Sequence, residues 1–250
     1  MRFIARSIFV LSCAMPAFGQ SPLPQNAVII ERQAIPVSAH PNRELVLWME
    51  HPVKHDKGPL DSDLYACPEW TTGSGYYEGP TRISLMDTLS GAEINRIHLT
   101  YPDSADTDSF MVPFRIARGF WGRLGFYEVP GPIGHLEGKP KLLTLKDYNG
   151  DGQALEAAFF VAEACMGLPT TLIGYSIKQD RVIQYEADLA GYDGPQKWID
   201  YLFAKKPVRP GYWKYAIDYS GRCGDADGDC IERFEIQYDP ATERFKSVRK

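Results

Sequence analysis

Long apolar runs are missing from this sequence. A helix that crosses a bilayer needs about 20 such residues, and no segment after the N-terminus approaches that. An excess of basic charge is missing as well. The 27 lysines and arginines are outnumbered by 32 aspartates and glutamates, for a formal net charge of −5. That balance argues against nucleic acid as a partner. Histidine is scarce, and the closest pair, His51 and His55, encloses Pro52 and precedes Lys57-Gly58. The pair therefore reads as loop, not as the helix face on which an i, i+4 pair would hold zinc. Thr72-Gly73-Ser74-Gly75 lacks the G-x-S-x-G elbow that exposes a nucleophile. No glycine-rich turn opens onto a helix to cradle a phosphate. These absences exclude a transmembrane helix, a nucleic-acid surface and the familiar catalytic signatures.

Cysteine is sparse too, with five in the chain, and the N-terminus decides how they are read. Arg2 and Arg6 precede a short apolar run from Ile8 to Leu11, and Ala17-Phe18-Gly19 places small residues where a signal peptidase cuts,. Residues 1–19 read as a cleaved signal peptide, and the expected address is secreted or periplasmic. Val10-Leu11-Ser12 before Cys13 is the alternative, a lipid-anchored start with a very short apolar region. Removing residues 1–19 takes away two arginines and no acid, so the remainder is more acidic still. Four cysteines remain: Cys67, Cys165, Cys223 and Cys230. An even count behind a signal predicts two disulfides. Closeness in sequence favours Cys223 with Cys230, which leaves Cys67 with Cys165. Zinc fits less well, because no C-x₂-C pair occurs and no histidine lies near Cys223.

What the chain does have is short alternating segments. After a Ser/Pro/Gln-rich flexible leader over 20–30, Leu45–Met49 is an apolar run of strand length. Arg82–Asp87 and Ile94–Leu99 flank Leu89-Ser90-Gly91 as a hairpin,. Phe110–Ala117, Arg123–Val129 and Leu142–Leu145 are further strand candidates, and Glu156–Ala162 leans the same way. Thr171–Ser176 and Arg181–Tyr185 form a second hairpin across Lys178-Gln179-Asp180. Trp213, Tyr215, Ile217 and Tyr219 alternate with polar residues, as do Phe234, Ile236 and Tyr238, which predicts an amphipathic hairpin with one buried face,. One helix is expected after Pro195, with Trp198, Tyr201, Leu202 and Lys205 on one face and Pro207 ending it,. The expectation is an all-β, antiparallel single domain over 31–250, small β-propeller-like or β-sandwich, with one short helix.

The clearest chemical pattern is Asp147-Tyr148-Asn149-Gly150-Asp151-Gly152. Oxygen side chains recur at every second position, and the glycines allow the tight bend that a chain folding around a cation needs. Ca²⁺ takes six to eight oxygens at about 2.3–2.6 Å. Asp147, Asn149 and Asp151 would supply the first ligands, Gln153 its carbonyl, and Glu156 the closing carboxylate. Asp225, Asp227 and Asp229 repeat the spacing around Gly228, although a Cys223–Cys230 bridge alone could hold that tip.

Leu145–Gly152, running from one apolar segment toward another, resembles the calcium loop of FG-GAP/VCBS-type repeats, and the likeness covers about residues 141–186. The resemblance implies a β-propeller setting and calcium ligation by Asp147, Asn149 and Asp151. The family's closing acid, three positions after the turn glycine, is Leu155 here, and Glu156 comes one residue later. The expected function is a secreted calcium-binding β protein, a structural or partner-binding module for an extracellular protein or carbohydrate. Trp70, Tyr76, Tyr77, Trp121 and Tyr127 would offer stacking surfaces to sugars, or simply core. The alternative is a secreted carbohydrate-active hydrolase using surface carboxylates, which needs two of them about 5–9.5 Å apart across a cleft.

Overall fold

A computed structural model of the chain describes residues 23–56, 76–100, 108–113, 123–124, 127–128, 141–160, 169–218 and 231–249. A six-stranded sheet comes first: β1 (Ala27–Ala34), β2 (Arg43–Glu50), β3 (Val53–His55), β4 (Tyr76–Asp87), β5 (Glu93–His98) and β6 (Ser109–Pro113). β7 (Arg123–Leu124) and β8 (Tyr127–Glu128) pair as a two-residue ribbon. β9 (Glu156–Phe160), β10 (Pro169–Ser176) and β11 (Arg181–Gln184) make a second sheet. β12 (Glu186–Asp188) then leaves for a third sheet, while β13 (Ile199–Asp200) pairs with the start of β10. β14 (Tyr212–Asp218), β15 (Ile231–Asp239) and β16 (Arg244–Arg249) complete the third sheet. The fold is all-β and sandwich-like, with no closed barrel among the described residues. Its pairings are antiparallel except for β12 beside β16.

Alternation along the second sheet explains how the layers stack. Ala157 and Phe159 of β9, Ile173 and Tyr175 of β10, and Val182 of β11 join Leu45, Leu47, Ile83 and Leu85 of the first sheet in one core. The residues between them, Ala158, Phe160, Leu172 and Ile183, pack against Trp213, Phe234, Ile236 and Phe245 of the third sheet in another. Successive side chains of a strand point to opposite faces, so an apolar run without polar alternation is what a middle layer requires. All eight residues of β10 are buried. The outer face of β2 is covered as well. Trp48 is fully buried, donates to Ser84 Oγ at 2.8 Å and has the Arg96 guanidinium 4.8 Å from its ring centre.

An ionic clasp joins the first two sheets. Arg43 Nε and Nη2 donate to the two Asp180 oxygens at 2.9 and 2.7 Å, and Nη1 donates to Asp87 at 2.5 Å. Tyr175 adds its hydroxyl to Asp180 at 2.7 Å.

Several expectations change. The helix after Pro195 reduces to a single 3₁₀ turn, Leu202–Ala204. The side-chain hydroxyls of Thr170 and Thr171 donate to the carbonyls of Ile199 and Lys197, at 2.5 and 2.7 Å, and draw this segment onto β10. Tyr201, at φ 60°, breaks any helix there. Leu142–Leu145 forms no strand; only Lys146 pairs, as an isolated bridge to Glu156. β1 already begins at Ala27, inside the stretch read as leader, because Ala27 pairs with Glu50. Cys67, Cys165, Cys223 and Cys230, and the loop of Asp225, Asp227 and Asp229, lie outside the described residues.

Candidate metal site

The Lys146–Glu156 bridge closes residues 147–155 into a loop, each backbone N–H bonding the other's carbonyl, at 2.8 and 3.2 Å. Inside it the carboxylates and the amide serve the backbone. Asp147 Oδ1 accepts from Gly150 N at 2.7 Å, and its Oδ2 accepts from Gly152 N at 3.1 Å. Asn149 Oδ1 accepts from Asp151 N at 2.9 Å, and Asp151 Oδ1 from Gln153 N at 2.8 Å. These short side chains bend the chain by satisfying N–H groups two and more residues ahead. The bend is completed where Gly150 and Gly152 take φ 81° and 86°, a region that costs residues with a Cβ about 1–2 kcal/mol.

Glu156 lies beneath the loop, with no exposed surface. Its Oε2 accepts from Tyr148 N at 2.9 Å, and its Oε1 from Asn149 Nδ2 at 3.0 Å and the Tyr185 hydroxyl at 3.3 Å. Asn149 Nδ2 also reaches Asp151 Oδ2 at 3.2 Å. Burial pushes the Glu156 carboxyl up to about 8. The charges of Asp151 and Asp147 push the same way, against the hydrogen bonds from the Tyr148 and Asn149 backbone. Tyr148 and Tyr185 are raised too, first by burial and then by Glu156. The three carboxyl groups thus disfavour one another's charge, and no lysine or arginine forms an ion pair with Asp147, Asp151 or Glu156 among the described residues.

The loop is also docked. Tyr148 O accepts from Gly211 N at 2.9 Å, and Gly211 O accepts from Tyr238 N at 2.8 Å. The third sheet thereby holds the loop through the Pro210-Gly211 turn.

Of the residues expected to bind a cation, Asp147, Asn149, Asp151 and Glu156 are brought into one hydrogen-bonded unit. Gln153 joins through its backbone, with its carbonyl accepting from Leu155 N at 3.2 Å. The donor set is all oxygen, as a hard cation requires. Each oxygen of Asp147 and Asp151 accepts a single N–H, so about half the acceptor capacity of each carboxylate is left over. Among the described residues, no group of three or more His, Cys, Asp or Glu side chains converges to hold a metal ion. Tyr185 is the member that sequence reasoning misses. It stands 29 positions from Glu156 in the chain, and only the fold, which brings the residue linking β11 to β12 over Glu156, shows the contact. Of the aromatics proposed for stacking, Tyr77 packs against the first core, and Trp70 and Trp121 lie outside the described residues. No family model matches the chain, and searches of curated proteins and of solved structures find no match.

Proposed function

We propose that this is a secreted β protein in which the 147–156 loop holds Ca²⁺, and that the ion braces a binding module rather than serving catalysis. The observation that carries the reading is the gathering of Asp147, Asp151 and Glu156 in one loop with no ion pair to a lysine or arginine among the described residues. Asp147, Asn149 and Asp151 would be the ligands, with Glu156 closing the set or supporting it from below. The ion would supply positive charge inside a loop whose carboxylates form no ion pair with a lysine or arginine among the described residues. Glu156 is fully buried and offers no face to a substrate, which favours a structural role over acid–base work. The module's partner would be an extracellular protein or carbohydrate.

Binding to the native state alone stabilises it by about 2.7 kcal/mol at a hundredfold excess over Kd, and extracellular modules bind calcium with Kd of about 10⁻⁴–10⁻³ M. Millimolar Ca²⁺ should therefore raise the melting temperature, and EDTA should lower it. Asp151→Ala should remove most of that response, while Asp193→Ala, in an exposed turn, should leave it intact. A melting curve indifferent to both calcium and EDTA would end this reading.

A further inference from the structure

Beside the loop, a pocket of about 450 Å³ opens between residues 141–148, β9 and the segment following the 3₁₀ turn. That volume lies within the range of small-molecule sites, about 300–1,000 Å³. Its floor is apolar, formed by Ala158 and Phe160 of β9 with Tyr148 and Phe203. Its rim is cationic, with Lys141, Lys146, Lys205 and Lys206. Lys205 is engaged, donating to Ala216 O at 3.0 Å. The other three are exposed and have no ion-pair partner among the described residues. Among the described lining residues Asp147 is the sole carboxylate, and it forms no ion pair with any of the four lysines.

In a chain of net charge −5, such a gathering of unpaired ammonium groups around an aromatic floor is locally unfavourable. Like charges repel, and the low-dielectric floor sharpens the field above it. An anion seated among them would reverse the sign of that interaction, and an apolar body attached to it would cover the floor.

We propose that this pocket binds a small organic anion, a sulfonate, carboxylate or phosphate carried on an aromatic or otherwise apolar body. The head meets Lys141, Lys146 and Lys206, and the body lies on Ala158 and Phe160. The proposal does not depend on calcium, because the lysines and the floor are present without it.

Calorimetric titration in EDTA at low salt separates the contributions, using naphthalene-2-sulfonate, 1-naphthyl phosphate and neutral 2-naphthalenemethanol on the full chain. The two anions should each bind once per chain, about tenfold or more tighter than the neutral compound, and whichever is tighter identifies the preferred head group. The double variant Lys146→Gln/Lys206→Gln should weaken the anions by about tenfold, the sum expected of two exposed charge contacts. Lys197→Gln, an exposed lysine outside the pocket, should not change them. Raising salt should weaken the anions alone. Unchanged melting temperatures would show that the variants remain folded. Absence of anion binding, equal affinity for anion and neutral compound, or binding indifferent to the double variant would each overturn the proposal.

Discussion

Asp180 adopts φ 47° at the turn between β10 and β11, a left-handed conformation that Asp and Asn tolerate better than other residues with a Cβ. In that position it receives both prongs of the Arg43 fork. Those hydrogen bonds hold its carboxyl down at about 2, with Tyr175 assisting against partial burial. The sign follows from linkage. A carboxylate whose native pKa lies below its unfolded value near 3.8 adds stability that is present above about pH 4 and lost as pH falls toward 2. The side chain keeps 32% of its surface exposed, so solvent screening limits the effect to about 1 kcal/mol. Asp180→Asn keeps the backbone preference and removes the charge. Its urea midpoint should lie below that of the parent at pH 7, and the two should converge between about pH 4 and pH 2. A difference that persists unchanged at the acid end would mean that the clasp acts through shape and not charge.

At the level of elements, the decisive contact is the one between the 147–155 loop and the Pro210-Gly211 turn. A Cβ on Gly211 would stand 2.3 Å from Asn149 O, and one on Gly150 would stand 2.6 Å from Pro210 O, both at positive φ. Gly91 shares the positive φ but would meet nothing within 4 Å. Gly91→Ala should therefore cost only the conformational penalty, about 1–2 kcal/mol. Gly211→Ala must also displace the Asn149 carbonyl and should cost about 3 kcal/mol or more, read as denaturant midpoints at constant slope. Equal costs would mean that the loop yields freely and is not held by the turn. The same contrast shows what sequence can convey. The alternation of apolar residues in β14 and β15, and the hairpin of β4 and β5, were legible because both depend on local periodicity. So was the tight bend at Gly150 and Gly152, whereas the use of the Asp147, Asn149 and Asp151 oxygens as acceptors for backbone N–H groups was not read from the spacing. The docking of Gly211 and the tyrosine on Glu156 were not, since each joins positions far apart in the chain. The segment after Pro195 has a helix-like apolar spacing, yet two threonine hydroxyls on β10 draw it into an extended path. Local propensity is a weak prior when tertiary hydrogen bonds compete.

At the scale of the whole molecule, the two cores are not independent. β10 gives Ile173 and Tyr175 to one and Leu172 to the other. The chain also crosses between layers at Tyr185, the residue between β11 in the middle sheet and β12 in the third. Leu172→Ala removes apolar contact from the second core alone and should cost about 2–5 kcal/mol. If the layers unfold together, hydrogen exchange should show amides of β2 losing the same protection free energy as amides of β15. Loss confined to β15 would divide the molecule into two cooperative units. The burial of β10 on both faces also has a consequence for how this protein could diverge. Elsewhere a sheet leaves every second position facing water, where substitutions drift at little cost. β1, with its alternating exposure, has such positions. β10 has none among its eight residues, so descendants of this chain could vary it only by exchanging one snug side chain for another.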